Sequence, residues 1–272
     1  MLTHVLIAVD FSPATPRLIA RLRALRTLGA KEATLVHVLS TRYPSAPAET
    51  HRAEYEDRLK QIADEIDPDI TVHTRIETGE PGYELVQTAE NVGADLILAG
   101  KRGSSRWREL FLGSTALDLA RLTDRPLWLE PIGPDDEAPT TAELRHILLA
   151  TDGSDAATPA EAMFAQLSGE FQRAIALHVV ATSNDHEKQK ETCDAERAMA
   201  ALAEQINGLD TTVIDGDPSA VIAETAQREA IDLIVVGKRG RSSIQDLLLG
   251  STAEAVCRRG QRSVLLVPGP RA

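Results

Sequence analysis

A glycine pattern that occurs twice is the feature of this sequence with the clearest chemical meaning. The spacing G-x2-G-x9-G-S is formed by Gly100, Gly103, Gly113 and Ser114, and again by Gly237, Gly240, Gly250 and Ser251. A glycine directly after a buried strand lets the backbone turn sharply and approach a ligand, because no Cβ stands in the way. The third glycine and the serine open a helix, whose free N–H groups and positive dipole favour an anion. The spacing therefore predicts a phosphate cradle in each copy.

Hydroxyl and basic side chains beside these glycines fit the same chemistry. Ser114 or Thr115, and in the second copy Ser251 or Thr252, can cap the helix or donate directly to the anion. Positive charge comes from Lys101, Arg102 and Arg106 in one copy and from Lys238, Arg239 and Arg241 in the other. The loop is not a Walker A motif, because G-x-x-x-x-G-K-[ST] is absent. The alternative is that the glycines only close turns and the Lys-Arg pairs are solvated, but repetition of the whole spacing favours phosphate binding.

Acidic and apolar residues at other strand ends could complete a nucleotide site. Asp10 and Asp152 each follow an apolar strand, where a carboxylate can accept from ribose hydroxyls or hold a Mg²⁺ that bridges phosphates. Their alternative role, with the following Ser12 and Ser154, is helix capping. Val38 and Val179 offer apolar surface for a base, or are core residues of a strand. No Ser-His-Asp set or repeated carboxylate pair marks a catalytic centre.

The chain is a tandem repeat of one domain. The segment Val5–Ser12 returns as Ile147–Ser154, and Asp95–Gly103 returns as Asp232–Gly240, in the same order. Between the copies, the segment Ile132–Ala142 is polar, acidic and interrupted by prolines, which is typical of a linker. We place the domains at residues 1–132 and 143–272.

Within each copy, short apolar runs alternate with longer helical patterns. In the first copy the predicted strands are Val5–Val9, Thr34–Leu39, Ile70–Ile76, Leu96–Ala99 and Leu127–Leu129, and the predicted helices are Pro16–Leu28, Glu49–Ile66, Tyr83–Val92 and Ser114–Thr123. This alternation implies right-handed βαβ crossovers and a parallel sheet covered on both faces. The predicted fold class is α/β, a doubly wound, Rossmann-like sheet made twice. Its ligand crevice should lie beyond the carboxyl ends of the strands.

Composition excludes several function classes. The chain has 272 residues, of which 29 are basic and 41 acidic, giving a net charge of −12 that argues against nucleic-acid binding. The apolar run at the N-terminus is short, lacks a basic flank and stops at Asp10, so it predicts neither a signal peptide nor a membrane span. Cys193 and Cys257 are too far apart to suggest a zinc site or disulfide framework. A cytoplasmic protein is expected.

These motifs resemble those of the universal stress protein family, and the resemblance covers nearly the whole chain once per half. In that family the G-x2-G-x9-G-[ST] spacing is the hallmark of the ATP-binding branch, and Asp10/Asp152 and Val38/Val179 match its ribose and adenine contacts. The resemblance also implies strand order 3-2-1-4-5, a cytoplasmic stress-response role, and dimer-like pairing through the fifth strands, Leu127–Leu129 and Val264–Val267. Two departures are Ala8 and Ala150, where some ATP-binding members have proline, and Phe11, which is matched by Gly153.

Three functions remain open at this point. The first is an ATP-binding regulatory protein, with or without Mg²⁺, whose protein partner or homo-oligomer responds to nucleotide and whose hydrolysis is at most slow. The second is a true hydrolase, which by resemblance would need an S-G-G-x-D-S loop that neither Asp10–Pro13 nor Asp152–Asp155 supplies. The third is an interaction module that works without nucleotide. Whether one or both halves are occupied is also open.

Overall fold

The chain folds into two compact units, residues 1–143 and 144–272. The structure is a computed structural model, and it describes residues 2–12, 14–41, 51–101, 112–132, 143–182, 184–240, 249–259 and 261–270. The predicted site residues Arg102 and Gly103 lie outside the described residues, as do Arg106 and Arg241.

In the part of the first unit that the structure describes, a parallel sheet of five strands packs with four helices. Its elements in chain order are β1 His4–Ala8, α1 Thr15–Thr27, β2 Glu32–Ser40, α2 Arg52–Asp64, β3 Thr71–Gly79, α3 Pro81–Asn91, β4 Leu96–Gly100, α4 Ser114–Leu122 and β5 Leu127–Glu130. Parallel pairing joins β1 to β2 and β4, β2 to β3, and β4 to β5. The strand order is therefore β3-β2-β1-β4-β5.

The second unit repeats this architecture. Its elements are β6 His146–Ala150, α5 Thr158–Ser168, β7 Arg173–Val180, α6 Asp185–Gln205, β8 Leu209–Asp215, α7 Pro218–Arg228, β9 Leu233–Gly237, α8 Ser251–Arg259 and β10 Ser263–Val267. The pairs are again all parallel, and they give the order β8-β7-β6-β9-β10. The predicted fold class and the strand order 3-2-1-4-5 are confirmed in each unit.

Element ends differ from the sequence-based bounds by a few residues. The largest extension is β3, which begins at Thr71 and continues to Gly79 because it pairs with the whole of β2 from Glu32 to Ser40. Its side chains are half-buried or exposed, so backbone pairing rather than apolar burial sets its length. Helix α2 is shorter than predicted, since it begins at Arg52. Among the described residues, no helix combines the length and apolar character needed to cross a bilayer.

The repeated aspartate before the fourth strand of each unit has a structural role. One oxygen of Asp95 accepts from the backbone N–H groups of Thr3 and His4, both at 3.0 Å. Asp232 makes the same pair of bonds to Arg145, at 2.7 Å, and His146, at 2.9 Å. Burial raises the pKa of Asp95, but the bonds from Thr3 and His4 outweigh it and leave the pKa below its usual value. The carboxylate thus fastens the start of the central strand.

A buried ion pair crosses the core of the first unit. Two nitrogens of Arg21 on α1 donate to the two carboxylate oxygens of Glu130 on β5, each at 3.0 Å. Both side chains are almost fully buried. The indole nitrogen of Trp128 also donates to Glu130, at 3.1 Å. Glu130 pairs with Gly100 in the first sheet, and Val267 pairs with the equivalent Gly237 in the second. The second unit therefore has an apolar valine where the first has Glu130.

Aromatic rings cluster at the carboxyl ends of β1 and β2. Phe11 stacks on Tyr55 of α2 with 5.4 Å between ring centroids, and the guanidinium of Arg58 lies 4.1 Å from the Phe11 centroid. His37 lies beside both rings, and its Nδ1 is 2.8 Å from the carbonyl oxygen of Val9. Burial lowers the pKa of His37; the bond to Val9 and the charge of Asp10 oppose that shift, and Arg58 adds to it. The cluster therefore holds His37 in its neutral form.

The Arg21–Glu130 pair predicts a strongly non-additive double-mutant cycle. Arg21→Met or Glu130→Val alone leaves a buried charge without its partner and should lower the free energy of unfolding by about 3–5 kcal/mol. The double variant should recover most of that loss, apart from roughly 1–3 kcal/mol for the unpaired Trp128 N–H. Urea unfolding of the four proteins tests this. A double variant as unstable as the two single losses added together would contradict it.

The His37 cluster predicts acid sensitivity of the first unit. Because the folded-state pKa lies below the unfolded value of 6.5, the stabilisation linked to neutral His37 is complete above that pH. It is lost as the pH falls through the folded pKa, with a slope of at most about 1.4 kcal/mol per pH unit. NMR titration of the imidazole should give a midpoint below 6.5, and His37→Asn should flatten the stability curve below that pH. His186→Gln, on the exposed start of α6, is the control that should change neither. A His37 midpoint at or above 6.5 would contradict the prediction.

Candidate nucleotide site

A cavity of about 360 Å³ opens at the carboxyl ends of the central strands of the second unit. Eight of the residues predicted for the second copy line it: Asp152, Val179, Gly237, Arg239, Gly240, Gly250, Ser251 and Thr252. They come from β6, β7, β9 and α8, which are far apart in the sequence. The cavity lies beside β6, where the chain order of the sheet reverses between β7 and β9, and this is the usual ligand position in such sheets.

Two glycines shape the turn that leads from β9 to α8. Gly237 ends β9, and a Cβ there would lie 2.9 Å from the carbonyl oxygen of Arg239. Gly250 donates its N–H to the carbonyl oxygen of Lys238 at 2.9 Å, and a Cβ on it would lie 3.3 Å from that oxygen. Helix α8 begins at the next residue, Ser251. Its first N–H groups have no helical partners and border the cavity, where they can bind an anion.

In the first unit the matched serine is the first residue of its helix rather than its cap. Gly113 occupies the N-cap position of α4 in an extended conformation, and Ser114 begins the helix. Of the two roles predicted for the serine hydroxyl, capping is therefore wrong for Ser114. A role as donor to a ligand stays a prediction.

Asp152 has both a structural contact and a place in the cavity wall. Its Oδ1 accepts from the N–H of Ser154 at 3.0 Å and from the Ser154 hydroxyl at 2.6 Å, which closes a tight turn after β6. Its Oδ2 lies against Gly240, and a Cβ at that position would collide with it. Ser154 does not cap α5, because the N-cap residue is Ala157 and no side chain bonds there. Because Gly240 has no side chain, the Asp152 carboxylate can lie against the turn that follows β9.

The two basic residues after β9 lie differently from each other. Arg239 is exposed and lines the cavity, whereas Lys238 is buried and is not among the lining residues. Lys101, the matched lysine of the first unit, is buried as well. Lys238 is therefore not part of the cavity wall, and the expectation that the lysine adds positive charge near the glycines stays a prediction.

The remaining wall was not predicted from the sequence. Most of it is apolar, and the residues are Ala150, Thr151, Ala157, Leu177, His178, Ala181, Glu191, Pro218, Ile222, Val236 and Ala253. Several of them are next to predicted residues in the sequence, for example His178 beside Val179. Strand alternation alone does not tell which of two neighbouring residues faces the cavity. Glu191 on α6 and Ile222 on α7 carried no signal, because only the packing of those helices brings them to the cavity.

Thr151 fastens the turn that carries Asp152. Its hydroxyl donates to Glu161 of α5 at 2.5 Å and accepts from the N–H of Gly153 at 3.1 Å. The threonine is buried, and both bonds are partly buried. The matched residue of the first unit, Val9, has no hydroxyl. The second unit thus holds this turn by hydrogen bonds that the first cannot make.

In the first unit the described site residues occupy matching places in the fold. Asp10 follows β1, Val38 lies in β2, Gly100 ends β4, and Gly113, Ser114 and Thr115 lie at the start of α4. The N–H of Gly113 donates to the carbonyl oxygen of Lys101 at 2.7 Å, as Gly250 does to Lys238. The carboxylate of Asp10 accepts from the N–H of Ser12 at 3.0 Å, as Asp152 does from Ser154.

Gly153, the residue equivalent to Phe11, does not line the cavity of the predicted site. Both residues have a positive φ, 56° and 64°. Gly153 lines a separate groove of about 340 Å³ between α5 and α6, with Ala162, Ala198 and Glu161. A Cβ on Gly153 would lie 3.7 Å from Ala198, whereas in the first unit Arg58 of α2 covers the Phe11 ring. The glycine thus borders this groove, and Gly153 is absent from the lining of the predicted site.

The donor set of the cavity does not form a metal centre by itself. Within the described ranges, no group of three His, Cys, Asp or Glu side chains is placed to hold a metal ion. Asp152 supplies carboxylate oxygens, which suit Mg²⁺, but further oxygen ligands would have to come from a bound molecule or from water.

Comparison with known proteins identifies the family. The profile of the universal stress protein family matches residues 1–130 and 143–268. A universal stress protein of Mycolicibacterium smegmatis is 26% identical over 97% of this chain and 96% of its own length, and one of Thermus aquaticus is 31% identical over 44% of this chain and 96% of its own. The crystal structure of a universal stress protein from Archaeoglobus fulgidus has the same fold, with a TM-score of 0.79 and 21% identity over 99% of this chain and 97% of that one. The chain therefore belongs to the universal stress protein family, as a tandem member with two copies of its domain.

Proposed function

We propose that the protein binds ATP in the cavity of its second unit and acts as a nucleotide-responsive regulator in a stress response. The observation that carries this proposal is the convergence of the predicted residues on one cavity. Family membership supports the stress-response role. The first unit keeps the matching residues at matching places, so it is a second candidate site.

The two ends of the cavity suit the two ends of a nucleotide. The start of α8, with Ser251, Thr252 and the nearby Arg239, offers N–H, hydroxyl and guanidinium donors to phosphates. Leu177, Val179 and Ile222 offer an apolar surface for a base. Asp152 directly follows β6, the strand between β7 and β9 in the sheet, and its carboxylate can accept from ribose hydroxyls.

The proposal gives ATP the role of a regulator rather than of a rapidly consumed substrate. Bound nucleotide would bias the protein between two states by its different affinity for each, and a protein partner or second copy would respond to that bias. Mg²⁺ would enter with the triphosphate, with Asp152 as the side chain best suited to reach it.

Calorimetric titration with Mg-ATP is the direct test. We expect a dissociation constant well below about 1 mM, the level at which binding amounts to only about −4 kcal/mol. Ser251→Ala should weaken binding severalfold by removing one donor, and Ser114→Ala reports whether the first unit contributes. No measurable binding would favour an interaction module that works without nucleotide. Turnover at or above roughly 1 per second would favour a hydrolase.

Substitution of Gly240 tests the site without deleting any of its side chains. Gly240→Ala should lower ATP affinity by about tenfold, because the new methyl group occupies the place of the Asp152 carboxylate and forces it aside. The fold should survive, since Asp152 can rotate. Gly169→Ala, at the end of α5 with φ −65° and no atom within 4 Å of the added Cβ, is the matched control and should change nothing. Unchanged affinity in Gly240→Ala would remove this turn from the site.

A further inference from the structure

Glu191 is a charged residue on the otherwise mainly apolar side of the cavity. It lies on α6, the helix that joins β7 to β8, and it is half-buried. The strand before α6 also contributes to the cavity wall, through Leu177 and Val179 of β7 and through Ala181 directly after it. Nothing in the phosphate-binding pattern accounts for a carboxylate here.

The topology places Glu191 away from the phosphate-binding end. β7 pairs with one edge of β6 and β9 with the other, so α6 and the turn after β9 approach the cavity from opposite sides. Arg239, Ser251 and Thr252 lie on the β9 side. A nucleotide with its phosphates at the start of α8 would therefore extend its base toward β7 and α6.

An ionised carboxylate only accepts hydrogen bonds, so it discriminates between groups on the base. Adenine carries an amino group at position 6, which donates. A base with a keto oxygen or a bare hydrogen at that position offers no such donor. A hydrogen bond to a charged, half-buried acceptor is stronger than a neutral one, and a base that lacks the donor loses it.

We propose that Glu191 is a specificity residue that selects a 6-aminopurine by accepting a hydrogen bond from its amino group. This inference rests on the proposed function, because it requires a nucleotide in the cavity. It assigns the base end of the site to a side chain of α6, an element outside the glycine motif.

Two nucleotides that differ only in the amino group provide the test. Isothermal titration should show that the native protein binds ATP at least about tenfold more tightly than purine riboside 5′-triphosphate, which has hydrogen at position 6. In Glu191→Ala this ratio should fall to about twofold or less, mainly because ATP binds more weakly. Glu191→Gln, which keeps a neutral acceptor and the same shape, should give an intermediate ratio and covers the case in which the alanine variant is unstable.

The control is Glu196→Ala, an exposed glutamate of the same helix that does not line the cavity, and it should keep the native ratio. If the native protein binds neither nucleotide, the proposed function itself fails. If it binds ATP and the ratio is the same in the native protein, Glu191→Ala and Glu191→Gln, the site stands and the role of Glu191 is overturned. Equal affinity of the native protein for the two nucleotides overturns it as well.

Discussion

The close approach of backbone to backbone after β9 is the constraint on which the site depends. A Cβ at Gly237 would press on the carbonyl oxygen of Arg239, and one at Gly250 on that of Lys238. Both obstacles are main-chain atoms of the same turn, and they cannot rotate away as a side chain can. The absence of side chains at these two positions lets α8 begin beside the end of β9, with its unpaired N–H groups toward the cavity. The positions of Ser251 and Thr252 on the cavity wall follow from this approach.

The sequence was informative where backbone geometry restricts the choice of residue, and less so where packing decides. The spacing of the glycines predicted the turn, and the alternation of apolar runs with helical patterns predicted the parallel sheets and their order. The adjacent Lys238 and Arg239 could not be told apart, because their roles depend on which way each side chain points as the chain leaves the strand. Main-chain bonds hold Lys238 on both sides, from its N–H to Val267 and from Gly250 to its carbonyl oxygen, and its side chain is buried. Glu191 could not be predicted as a cavity residue for a different reason, because only the packing of α6 brings it to the cavity.

The two units share a backbone plan but stabilise the turn after their first strand by different interactions. In the first unit Val9 offers only its carbonyl oxygen to His37, and aromatic stacking with a guanidinium covers Phe11. In the second, the Thr151 hydroxyl bonds both Glu161 and the backbone of Gly153. Aromatic packing tolerates the loss of a single hydrogen bond, whereas the polar arrangement depends on each partner. The equivalent aspartates Asp10 and Asp152 thus lie in turns that are held by different contacts.

The chemical asymmetry of the cavity limits what can use all of it. A simple inorganic anion would engage the N–H groups of α8 and Arg239 and leave the apolar wall of Leu177, Val179 and Ile222 in contact with water. A purely apolar ligand would cover that wall and leave donors of the helix start unpaired, which is costly once water is excluded. A ligand with an anionic group at one end, hydroxyls in the middle and a flat ring with a donor at the other satisfies each part of the wall at once. In the complex that we propose, these groups would follow strands β9, β6 and β7 in the order in which a nucleotide carries them.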